Sequence, residues 1–113
     1  SKAEAYEGHL ANLIRDLRKD FNAPELPVVV GALANANRKM RANEQKVFEA
    51  QMAVGDPDLY PEFKGKVASI DTRPMCKPVD QCPGGRDRYA SNAASYLEIG
   101  DAMAEAMLKL IAK

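Results

Sequence analysis

The chain has 113 residues, enough for one domain or part of one. Sixteen basic residues cancel sixteen acidic ones, at an isoelectric point near 6.5, so charge gives no case for nucleic acid or an anionic membrane as partner. No apolar run approaches the roughly 20 residues that span a bilayer, and the opening residues do not read as a secretory h-region.

Residues 1–21 read as a helix. Ser1 and Glu4 fit a capping box, and Tyr6, Leu10, Leu13, Ile14, Leu17 and Phe21 fall on one stripe at helical spacing. The turn "NAPELP" ends it, because prolines 24 and 27 disfavour helical backbone in the residues before them. "VVVGAL", residues 28–33, is β-branched and apolar without alternation, as expected of a strand covered on both faces. Gly31 within it permits close helix approach or marks a bulge. A second helix is expected over 37–54, with Met40, Val47, Phe48 and Gln51 inward and Gly55 and Pro57 beyond its end. "KVASID", residues 66–71, is the second strand, and a loop rich in Pro, Gly and Cys covers 72–90. The last helix spans 92–111, with Tyr96, Ile99, Met103, Met107, Leu110 and Ile111 on one face. Asn92, or Ser95 with Glu98, can cap it.

This order of elements predicts a parallel sheet in an α/β layered fold. Two strands alone leave two apolar edges unpaired, so residues 1–113 are expected to form a single partial domain. Its missing strands would come from a complementary N-terminal half or from a second copy of the chain.

Cys76 and Cys82 in "MCKPVDQCPGG" are spaced to close a small loop as a disulfide, which would imply a periplasmic or extracellular location. Two thiols in a reducing compartment are the alternative. A zinc site would want more Cys or His nearby, so no metal is expected, and nothing calls for a cofactor. The single histidine, His9, lies off the apolar stripe of the first helix and reads as a surface residue. The basic run "RKMR", residues 38–41, is either an anion-holding helix start or an exposed turn. Methionines 40, 103 and 107 fall at helical positions suited to core.

Four ordered segments carry a resemblance: "AYEGHLANLIRDLRKDFNAPELPVVVGALA", "MRANEQKVFEAQ", "YPEFKGKVASIDTRP" and "NAASYLEIGDAMAEAML". Together they resemble the C-terminal half of the sialate O-acetylesterase-like carbohydrate esterases, within the SGNH hydrolases. The resemblance implies a flavodoxin-like three-layer α/β/α sandwich with about five parallel strands. It further implies removal of acetyl groups from sugars by Ser, His and an acidic residue. In that family the serine and the oxyanion-hole residues precede the part matched here. The histidine belongs in a Tyr-His-Tyr-Asn-like run before the last helix, where this chain has Asp87, Arg88 and Tyr89, with Arg88 in the histidine's place.

A serine hydroxyl needs a neighbouring base that titrates near neutrality, and an arginine holds its proton throughout. The chain alone is therefore expected to lack esterase activity. Asp87, Arg88 and Tyr89 would instead touch a sugar at a site completed by the other half. The alternative is a non-catalytic α/β module that binds a sugar or partner, or self-associates through its sheet edge.

Overall fold

The computed structural model describes residues 2–33, 39–82 and 92–112. Helix α1 (Lys2–Asp20) leads into strand β1 (Val28–Ala32), helix α2 (Ala42–Ala53), strand β2 (Val67–Asp71) and helix α3 (Ala93–Ile111). Short 3-10 turns occupy Pro61–Phe63, Arg73–Met75 and Val79–Gln81. The two strands pair in parallel with Val28 opposite Val67 and Ala32 opposite Asp71. The architecture is mixed α/β, compatible with part of an α/β sandwich, as expected.

Alternation along each strand sorts the helices into layers. Val28, Val30 and Val67 pack with Ala11 and Ile14 of α1 and with Val54 and Phe63, while Ala32 packs on Phe48 of α2. Ser69 also points to this side, its hydroxyl donating to the Gln51 carbonyl of α2 at 2.5 Å. Gly31 faces the other way, and a Cβ there would sit 3.2 Å from the Met103 sulfur of α3. Close helix approach, not a bulge, therefore explains this glycine. The layers are α1 with α2, then the sheet, then α3.

Helix α1 ends because Asn22 takes the left-handed φ of 50°, which Asn tolerates, and the Ala23 N–H bonds back to the Arg18 carbonyl at 2.8 Å. Helix α2 begins at Ala42, later than residue 37. The Arg41 N–H donates to Glu44 Oε2 at 3.1 Å, and Lys39, Met40 and Arg41 precede the helix. Helix α3 is capped by Asn92, whose side chain accepts from the Ser95 N–H at 3.1 Å. Ser95 is fully buried and donates to the Met75 carbonyl, so it is not a cap.

Two sequence expectations need correction. The α1 stripe is not uniformly inward: Ile14 is buried, but Leu13 is 53% and Phe21 70% exposed. Phe21 falls beyond the last turn of the helix, and Leu13 sits one step round the helix from the buried pair Ala11 and Ile14. The strands carry helices on both faces, as expected, yet Val28 through Gly31 stay half-buried, because among the described residues the sheet has only β1 and β2. Finally, Cys76 and Cys82 are thiols and are not bonded to each other. The buried Cys82 sulfur is turned to the Lys77 carbonyl at 3.5 Å, held there by the local 3-10 turns. With the bond absent, the argument it supplied for an oxidising compartment does not stand.

Candidate functional site

In parallel sheets the carboxyl ends of the strands, with the loops that follow, form the usual ligand-facing edge. Here that edge is built from Ala32, Leu33, Asp71, Thr72 and Arg73. The buried Thr72 hydroxyl donates to the Ala32 carbonyl at 2.5 Å, tying the two strand ends together. Beneath them the buried Gln51 side chain accepts from the Leu33 N–H at 2.8 Å and donates to the Tyr6 hydroxyl at 3.0 Å. One amide thus joins α1, α2 and the exit of β1.

Asp71 and Arg73 make the charged part of this edge. Arg73 Nε lies 3.0 Å from both Asp71 oxygens, Nη2 lies 2.6 Å from Oδ2, and the Arg73 N–H donates to Oδ1 at 2.9 Å. These bonds hold the Asp71 carboxyl below its ordinary range and raise the guanidinium. The guanidinium also lies over the Phe48 ring, 4.6 Å from its centroid. A fixed carboxylate and a planar cation with further N–H groups offer acceptors and donors to a polar ligand, while the buried Phe48 ring backs the guanidinium from below. The "SIDTRP" stretch belongs to the segments that carry the family resemblance, but composition and spacing alone did not single out Asp71, Arg73 or Phe48.

The segment after β2 is fastened to the first turn of α3. Ser95 Oγ donates to the Met75 carbonyl at 2.5 Å, and Asn92 Nδ2 donates to the Gln81 carbonyl at 2.8 Å. Lys77 Nζ reaches both Glu98 oxygens at 2.7 and 2.8 Å. Asp87, Arg88 and Tyr89 lie outside the described residues. Of the residues on either side of them, Asn92 is bonded to the Gln81 carbonyl.

His9 is exposed on α1, as the sequence predicted. The described serines, Ser69 and Ser95, both donate to backbone carbonyls. Among the described residues, no group of three His, Cys, Asp or Glu is placed to hold a metal ion. No described helix is long and apolar enough to cross a membrane.

The family model of the carbohydrate esterases described as sialic acid-specific acetylesterases matches residues 1–109. No curated protein and no solved structure matches the chain.

Proposed function

Because the chain belongs to the sialic acid-specific acetylesterase family of carbohydrate esterases, we propose that it forms the C-terminal portion of a sugar O-acetylesterase. A second polypeptide segment would supply the serine nucleophile and complete the sheet. The observation that carries this reading is the state of β1. Val28, Val29 and Val30 form an uninterrupted apolar run, yet all three stay half-buried beside a single neighbouring strand. Apolar strands of this kind are stable when both faces and both edges are covered.

In the completed site the carboxyl ends of β1 and β2 form one wall, with Asp71 and Arg73 set to contact the sugar and the buried Phe48 ring backing the guanidinium. Asp87, Arg88 and Tyr89 add polar contacts from the loop before α3. Ester hydrolysis needs a hydroxyl whose proton passes to a base, a tetrahedral intermediate held by N–H donors, and departure of the sugar alkoxide as it takes a proton. Arg88, standing where a histidine is expected, cannot take the first proton but can donate to a carbonyl or sugar oxygen. The isolated chain is expected to hydrolyse p-nitrophenyl acetate no faster than buffer. Adding the polypeptide that carries the serine segment restores turnover on O-acetylated sialic acid if that segment also brings a base. Turnover by the isolated chain would refute the reading.

The arginine at position 88 favours a second reading, a module that binds sugar without turning it over. Sugar-dependent shifts in the amide spectrum of a completed but inactive assembly would distinguish this reading from the first.

A further inference from the structure

Helix α3 has one apolar stripe too many. At 3.6 residues per turn, Ser95, Ile99, Met103, Ala106 and Leu110 fall on one side, and Ser95 and Leu110 there are buried. A second stripe, Leu97, Gly100, Ala104, Leu108 and Ile111, runs beside it along the whole helix. Within it Leu97 is 71%, Leu108 61% and Ile111 55% exposed. A Cβ built on Gly100 would meet nothing within 4 Å. This stripe therefore lies open where the first is packed.

The border of the open stripe carries a sign. Asp101 and Glu105, one turn apart, flank it on the side away from the sheet, and neither makes an ion pair among the described residues. Glu98, in contrast, is already held by Lys77. The small residues Gly100 and Ala104 at the centre of the stripe let another backbone come close, with Leu97 and Leu108 as knobs to either side.

We infer that α3 docks an amphipathic α-helix whose apolar stripe is bordered by Lys or Arg. Charge decides between the possible occupants. An antiparallel second copy would set Asp101 and Glu105 against their own counterparts. A parallel one would set them against the uncharged border of Tyr96 and Met107, which offers no cation. An anionic lipid surface is repelled by the same two carboxylates, since helices that lie on such surfaces carry basic borders. A basic-bordered helix satisfies both the stripe and its edge. The surface is on α3 alone, so its test does not depend on whether the esterase reading holds.

The probes are two synthetic helical peptides of about 18 residues, long enough to hold a helix. They share one leucine stripe, and one is bordered by lysines, the other by glutamates. Fluorescence anisotropy at low salt is expected to show the lysine peptide binding the full chain roughly tenfold more tightly than the glutamate peptide. The double variant Asp101→Lys with Glu105→Lys reverses that preference. Ala104→Gln or Leu108→Gln, each checked for unchanged helicity, weakens the lysine peptide by about the same factor. Failure of both peptides to bind, or a preference that the double variant leaves in place, overturns the inference. So does a dimer in sedimentation that Leu108→Gln dissociates, or co-sedimentation with phosphatidylserine vesicles that Leu108→Gln abolishes.

Discussion

Replacing Gln51 by leucine tests the junction beneath the strand ends most directly. Gln51 is 5% exposed, accepts from the Leu33 N–H at 2.8 Å and donates to Tyr6 Oη at 3.0 Å. Leucine nearly keeps the volume but removes both bonds. The Tyr6 hydroxyl is half-buried and can turn to water, so losing that bond costs about 0.5–1.5 kcal/mol. Leu33 is 43% exposed, so its N–H can also turn to water, and losing this bond costs about 0.5–1.5 kcal/mol. The sum is about 1–3 kcal/mol. For a chain of 113 residues, each kcal/mol lowers the melting temperature by about 4 °C, so the expected fall is about 4–12 °C.

Thermal unfolding followed by circular dichroism measures this shift. Tyr6→Phe serves as the companion variant, expected to cost about 1–3 kcal/mol because it leaves the buried Gln51 amide without its acceptor. Because both substitutions break the same bond, the double variant should lose less than the sum of the singles. A Gln51→Leu protein within about 0.5 kcal/mol of the parent, a typical surface effect, would refute the role given to this amide. Strict additivity with Tyr6→Phe would refute the coupling.

Two glycines should respond to alanine with opposite signs. Gly55→Ala places a Cβ 2.6 Å from the Ser69 backbone nitrogen and should destabilise by about 1–3 kcal/mol, whereas Gly100→Ala meets nothing and should stabilise the exposed helix by about 0.5–1 kcal/mol in denaturant titrations. Arg73 lowers the folded-state pKa of Asp71, so the pair adds stability above the unfolded carboxyl value and loses it as pH falls through the depressed one. Asp71→Asn is therefore expected to flatten the acid side of the stability profile below about pH 4 while leaving its shape near pH 8 unchanged. Alkylation without reductant should find both cysteines reactive, Cys76 ahead of the buried Cys82. A mass two hydrogens short, with no labelling, would reinstate the disulfide.

Elements with strong local causes were legible before any coordinates. The prolines at 24 and 27 and the stripe of α1 set the first helix and its stop, a β-branched apolar run marked the first strand, and the short "KVASID" segment gave the second. The family was legible as well, because four ordered segments survive in the primary structure. The start of α2 was less legible, since residues 37–41 are helix-compatible by composition and only the Arg41–Glu44 contact marks the first turn. Ser95 shows the same limit: its spacing to Glu98 imitates a cap, yet its hydroxyl serves Met75, a residue 20 positions earlier.

What the sequence alone determined is the order of helices and strands, the apolar character of the sheet and the identity of the family. These follow from periodicity, steric preference and residue type, which act between near neighbours along the chain. Only the tertiary structure decided that Asp71, Arg73 and Phe48 meet, that Gln51 bridges α1, α2 and β1, that Cys82 turns to the Lys77 carbonyl and not to Cys76, and that half of α3 stays open. Each of these depends on groups brought together from distant positions or on backbone turns that aim a side chain, and spacing along the chain carries no direction in space.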